Sequence, residues 1–125
     1  MSEQASEFGV IGLAPAGQAI ALRLAARGGR VSLWDNSFDV VERFARDHRD
    51  TRGGLVGYAD MEDFFDSLTR GAPVVVFVPA GGEAAARAAR MAGSGRRLIN
   101  GDSGPAGPDD AALQAIEARL FEAPG

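Results

Sequence analysis

The sequence predicts an α/β fold, a doubly wound parallel sheet of about five strands in the order 3-2-1-4-5 with helices on both faces. Three observations carry that expectation. Short apolar runs alternate with stretches of helical spacing along the whole chain. The best of those runs is apolar on both faces, as a strand covered from both sides must be. Glycine and proline fall at the joints between runs and helical stretches. Parallel strands joined through helices need right-handed crossovers, and such a sheet places a ligand at the switch between strands 1 and 4.

Phe8 to Leu13 (FGVIGL) reads as the first strand. Pro15 opens the helix that follows, because a missing N–H costs nothing in a first turn. From Ala16 to Arg27 the apolar residues Ile20, Leu22, Leu24 and Ala25 lie among good helix formers, and Gly28-Gly29 ends the helix. Arg30 to Trp34 (RVSLW) is the second strand. Ser37 stands at the N-cap of a helix carrying Phe38, Val41 and Phe44, which fades near His48. Asp47 to Gly54 is charged and glycine-terminated, hence a loop. Leu55 to Ala59 is a weak third strand, and Asp60 caps a short helix through Met61, Phe64, Phe65 and Leu68. Pro73 to Val78 (PVVVFV), β-branched and apolar, should be a central strand. Pro79-Ala80-Gly81-Gly82 breaks it. Glu83 to Met91 is an alanine-rich helix closed by Gly93-Ser94-Gly95, Arg97 to Asn100 is a short fifth strand, and Asp109 to Glu122 is a final helix with Ala112, Leu113, Ile116 and Leu120 on one face.

The 125 residues suit a single domain, 1–125, in which residues 1–7 are expected to be flexible. Apolar residues make up 46%, enough for a core. A net charge of −4 and a pI near 4.9 argue against nucleic-acid binding by bulk charge. There is no cysteine, which excludes disulfides, thiolate nucleophiles and iron–sulfur clusters. All 13 basic residues are arginine, so Schiff-base chemistry and a P-loop lysine are excluded as well. His48 is the single histidine, so no His-rich metal site is expected within one chain. No run approaches the roughly 18 apolar residues of a membrane span, and the polar start lacks the features of a signal peptide. A cytoplasmic protein without membrane or nucleic-acid partners is the expectation. The Met1 start and the proline-glycine end favour a complete short protein over a fragment.

Gly12-Leu13-Ala14-Pro15-Ala16-Gly17 follows the first strand and opens the first helix. This is the dinucleotide fingerprint G-x-G-x-x-G with alanine at its second glycine. Gly12 permits the tight turn, Ala14 is small enough for a pyrophosphate to approach, and Gly17 lets the helix pack close to the sheet. The helix N-terminus supplies free N–H groups and partial positive charge. Asp35 lies 23 residues beyond Gly12, close to the spacing of about 20 at which an acid accepts the ribose hydroxyls. That carboxylate would repel a 2′-phosphate, and the next residues, Asn36 and Ser37, are not arginine. The chemistry leans to NAD(H) over NADP(H). A doubly wound domain can also carry a glycine turn without a ligand, and Asp35 can be a plain strand-end turn residue.

Val78, Pro79, Ala80 and Gly81 follow the fourth strand and would line the same crevice, or form an ordinary strand-to-helix turn. Asn100, Asp102 and Ser103 follow the fifth strand and could reach a cofactor amide or a small substrate, or make an Asx-type turn. His48 is expected at a solvated helix end. Phe38, Phe44, Phe64 and Phe65 are expected in the core.

The stretch GVIGLAPAGQAIALRLAARGGRVSLWDNSFDVVERF, continued by LVGYADMEDFFDSL, VVVFVPAGG and LINGDS, resembles the opening of 6-phosphogluconate dehydrogenase and its β-hydroxyacid dehydrogenase relatives. The resemblance runs from Phe8 to Ser103. It implies a Rossmann-like domain binding a nicotinamide dinucleotide, with Gly12 to Gly17 at the pyrophosphate, Asp35 to Ser37 at the adenosine ribose, and Val78 to Gly81 near the nicotinamide. Relatives that use NADP typically carry Asn-Arg-Thr/Ser where this chain has Asp-Asn-Ser. Asn100-Gly101-Asp102-Ser103 is one residue shorter than the family's Asp-Gly-Gly-Asn-Ser. The family's catalytic lysine belongs to a later helical domain that this chain does not contain. The expectation is therefore a cofactor-binding domain without catalytic residues of its own. The alternatives are a component of an oxidoreductase completed by another chain or by dimerisation, and a Rossmann domain kept for protein interaction.

Overall fold

The computed structural model describes residues 5–77, 82–93, 97–100 and 110–120. β1 (Phe8–Ile11) is buried along its whole length and holds the middle of the sheet. α1 (Pro15–Ala26) follows it, then β2 (Val31–Trp34), α2 (Phe38–Asp47), β3 (Leu55–Gly57), α3 (Met61–Asp66), β4 (Val74–Val76), α4 (Glu83–Ala92), β5 (Leu98–Asn100) and α5 (Asp110–Leu120). The strand order is β3-β2-β1-β4-β5 and every pairing is parallel. In the register, Ile11 stands between Trp34 of β2 and Val76 of β4. β1 and β4 are thus neighbours, and the chain leaves them toward opposite faces.

Alternation along the strands divides the core in two. Val10, Leu33, Val75 and Ile99 face α1, α2 and α5, where they meet Ile20, Leu24, Val41, Phe44, Leu113, Ile116 and Leu120. Ile11, Trp34 and Val74 face the other layer, meeting Met61, Phe64 and Phe65 of α3 and Ala88 of α4. Burying each such aliphatic or aromatic side chain contributes about 1.5–3 kcal/mol, so both layers hold the sheet. Gly9, in the centre of β1, gives α3 its room. A Cβ there would lie 2.7 Å from the Phe64 ring.

At the opposite edge of the sheet from the strand ends, the hydroxyls of Ser6, Ser32 and Ser67 form a chain with separations of 2.6 and 2.7 Å. Ser67 Oγ also donates to the Phe64 carbonyl at 2.6 Å. Ser6 and Ser32 are fully buried, so each hydroxyl needs its partner there.

The structure departs from the sequence reading in four places. Ser6 and Glu7, counted with the flexible start, are tied down: Ser6 pairs with Leu68, and Glu7 N–H donates to the Arg30 carbonyl at 2.9 Å. Phe38 is 40% exposed and outside the core. It lies in the first turn of α2, and at 100° per residue it falls about 120° from Phe44, off the buried side. Ser37 occupies the N-cap of α2 but its side chain caps nothing. Asp60, by contrast, caps α3 by accepting from Glu62 N–H at 2.9 Å. His48 ends α2 half-buried, its Nδ1 3.0 Å from the Phe44 carbonyl oxygen and its ring against that of Phe44.

Candidate functional site

The carboxyl ends of β1 and β2 carry the glycine turn and Asp35 side by side. Gly12 takes φ of +95°, where a side chain would be strained, and its N–H donates to the Trp34 carbonyl at 2.7 Å. That bond carries the strand pairing one residue past β1 and sets the start of the turn. Leu13 is buried, and its carbonyl accepts from Gln18 Nε2 at 2.9 Å. Ala14 is the N-cap of α1 and has no side chain with which to cap it; Pro15 follows at the first helical position. Ala14 and Pro15 face solvent, while Ala16 and Gly17 are buried.

The first N–H groups of a helix have no partner within it. Pro15 contributes none, so Ala14, Ala16 and Gly17 supply the donors at this terminus. No acidic residue stands in the first turn of α1, so the positive end of the helix dipole is left for an anion. Gly17 sits hard against the turn. A Cβ there would overlap the Gly12 carbonyl oxygen and lie 3.1 Å from its carbon, with the Phe77 ring at 3.3 Å on the other side.

Asp35 is half-buried. Its Oδ2 accepts the Leu13 N–H at 2.7 Å and its Oδ1 accepts the Ser37 N–H at 3.0 Å. A carboxylate has about four lone-pair sites, so each oxygen can still accept another donor. Asn36 and Ser37 are exposed beside it. Trp34, one residue before, is buried, and its Nε1 donates to the Ala59 carbonyl at 3.2 Å, fixing the exit of β3 against β2.

The fold therefore brings Gly12, Leu13, Ala14, Pro15, Ala16 and Gly17 together with Asp35, Asn36 and Ser37. Val78, Pro79, Ala80 and Gly81 lie outside the described residues, as do Asp102 and Ser103. Phe77, just before them, donates its N–H to the Ile11 carbonyl at 2.7 Å, which places the exit of β4 beside that of β1. Asn100 ends β5, paired in register with Val76. Sequence reasoning passed over Gln18, one residue beyond the glycine pattern, and named Leu13 in that pattern without its amide's bond to Asp35.

Away from this edge, a surface groove of about 400 Å³ lies between α1 and α5, lined by Arg23, Arg27, Gln114, Glu117 and Ala118. Glu117 bonds Arg23 Nε and, at 3.0 Å, Arg27 Nη1. Burial raises the Glu117 pKa, but the hydrogen bonds and charges of the two arginines outweigh it and hold the carboxyl below its ordinary value. Among the described residues, no cluster of His, Asp or Glu could hold a metal, and no helix is long and apolar enough to cross a membrane.

A parallel sheet in this order, with a glycine turn at the mouth of its first helix and a carboxylate from the next strand bonded to that turn, defines a Rossmann-like dinucleotide-binding domain. The comparison with protein families narrows the class. The family model for the NAD binding domain of 6-phosphogluconate dehydrogenase matches residues 7–104, and the chain belongs to that family. It is 32% identical over 76 residues to the decarboxylating 6-phosphogluconate dehydrogenase of Chlamydia trachomatis serovar D, a match covering 61% of this chain and 16% of that one. The Synechococcus elongatus enzyme of the same name is 33% identical over the same lengths. Among solved structures, Plasmodium falciparum 6-phosphogluconate dehydrogenase superimposes with a TM-score of 0.66 at 21% identity, over 76% of this chain and 21% of that one. Glycerol-3-phosphate dehydrogenase from Coxiella burnetii superimposes with a TM-score of 0.64 at 20% identity, over 95% of this chain and 38% of that one. These two show the fold. The match takes in 16% of the length of each curated relative, confined here to the cofactor domain.

Proposed function

We propose that the chain binds NAD(H) in preference to NADP(H) and serves as the cofactor-holding part of an oxidoreductase of the 6-phosphogluconate dehydrogenase type. The observation that carries the reading is the placement of Asp35. Its carboxylate lies beside the glycine turn, held by the Leu13 N–H, with lone pairs left for a ribose diol. A 2′-phosphate at the same place would meet a carboxylate and no arginine from Asn36 or Ser37, a like-charge contact that disfavours NADP(H). Plasmodium falciparum 6-phosphogluconate dehydrogenase was solved with NADP+, so cofactor preference is the point to test in this chain.

The pyrophosphate would lie against the N–H groups of Ala14, Ala16 and Gly17 at the head of α1, where donors and dipole favour an anion. Val78, Pro79, Ala80, Gly81 and Asn100 are proposed on the nicotinamide side of the switch. A bound nicotinamide would supply hydride chemistry. The chain's own residues bind and orient. The glycine-turn edge brings no histidine or lysine to a substrate, because His48 closes the far end of α2 and lysine is absent. The groups that handle a substrate's protons would thus come from outside this edge of the sheet.

Calorimetric titration with NAD+, NADH, NADP+ and NADPH tests the proposal. Saturable binding that favours the unphosphorylated pair is expected. Equal affinity for all four would refute the role given to Asp35, and no binding of any by folded protein would refute the cofactor role itself.

A further inference from the structure

The bond from the Leu13 N–H to Asp35 has a meaning separate from ribose recognition. It joins the two turns that a dinucleotide would bridge, across 22 positions of sequence, at 2.7 Å. A charge-assisted bond to a carboxylate is roughly twice as strong as one between neutral groups. Leu13 is also the residue whose carbonyl is held by Gln18 Nε2, and its predecessor Gly12 is held by the Trp34 carbonyl. The peptide plane on the C-terminal side of Gly12 is therefore fixed at its N–H by Asp35, while Gln18 fixes the next plane at its carbonyl. Those planes lead directly into Ala14, whose N–H is the first donor of the α1 terminus.

We infer that Asp35 is a positioning residue for the anion-binding turn as well as an acceptor for the ribose. Its carboxylate orients the Leu13 amide and so presets the Ala14 and Ala16 amides for a pyrophosphate. The inference rests on the dinucleotide reading above and deepens it. It means that the adenosine and pyrophosphate parts of the site are coupled through a single side chain. Removing Asp35 then weakens even a ligand that offers no ribose hydroxyl to it.

The experiment pairs Asp35 variants with NAD+ and with its 2′,3′-dideoxyadenosine analogue. If Asp35 is only a ribose acceptor, D35A and the analogue delete the same interaction, and D35A binds the analogue as well as the wild type does. If Asp35 also sets the turn, D35A weakens the analogue by about tenfold. D35N keeps one carbonyl oxygen for the Leu13 N–H, so it should recover most of the analogue's affinity while NAD+ stays weakened. The Leu13 amide proton gives a readout without ligand: short bonding to a carboxylate should place its NMR signal well downfield, and D35A should move it upfield in a protein that keeps its other resonances. Wild-type-like affinity of D35A for the analogue would overturn the inference while leaving NAD+ binding intact. A wild type that binds neither would overturn the dinucleotide reading, and this inference with it.

Discussion

Replacing Gly17 with alanine sets two effects of opposite sign against each other. Alanine is the better helix former by about 0.8–1 kcal/mol, so at an open helical position the change would stabilise. Gly17 is not open. The new methyl would overlap the Gly12 carbonyl oxygen and sit 3.1 Å from its carbon and 3.3 Å from the Phe77 ring. The first obstacle is backbone, held in place by the Gly12 N–H bond to Trp34 and the Leu13 bonds to Asp35 and Gln18. It cannot rotate away as a side chain can. Overpacking of this kind costs about 1–3 kcal/mol, and against the rigid turn the upper part of that range applies. The net expectation is a loss of about 1–2 kcal/mol. With a urea dependence of about 2 kcal/mol per molar, the unfolding midpoint should fall by about 0.5–1 M. Relief of the clash moves α1 away from the turn, so NAD+ affinity should fall as well. An unchanged or raised midpoint would refute the close-approach argument, because it would mean that propensity alone governs the position.

Three further outcomes follow from the same structure. S32A should cost about 1–3 kcal/mol in urea unfolding, since it leaves the buried Ser6 hydroxyl without its Ser32 partner and Ser67 with the Phe64 carbonyl alone; a loss below about 0.5 kcal/mol would show that Ser6 re-pairs without it. E117Q should destabilise by about 1 kcal/mol or less near pH 7, because the Arg23 and Arg27 pair is partly solvated. The folded Glu117 carboxyl titrates below its unfolded value, so its contribution is present above about pH 4.5 and is lost as pH falls through the folded pKa. The wild-type and E117Q stabilities should therefore converge in acid, and a gap that persists there would refute the assignment. Replacing Asp35 with serine together with N36R removes the repelling carboxylate and supplies a guanidinium for a 2′-phosphate. Titration should then favour NADP+ over NAD+, and continued NAD+ preference would place the discrimination elsewhere.

The sheet and its order were legible because apolar β-branched runs and helical spacing differ in period, and Val74 to Val76 or Ile20 to Ala25 leave little choice between them. Strand and helix ends shifted by a residue or two, as frayed ends do. Phe38 was misread because a spacing of three drifts around the helix by 60° at each step, which carries it about 120° from Phe44, past the side that buries Val41 and Phe44. Ser37 holds the N-cap as its residue type suggests, but its side chain makes no capping bond, and the chain enters α2 through the Asx-type bond from Ser37 N–H to Asp35. The glycine turn was legible in its residue types. Its bracing was not, because the bond from Leu13 to Asp35 depends on two strands lying side by side, and a linear spacing holds no sign of a single amide.

The burial of Trp34 gives the molecule an optical property of its own. It is the sole tryptophan, 5% exposed, and one peptide bond from Asp35. Reduced nicotinamide absorbs where indole emits, so an occupied site would drain excitation from this one donor by energy transfer, whereas the oxidised cofactor would not. Quenching of this single native chromophore would thus report the reduced cofactor in the site, with no label attached.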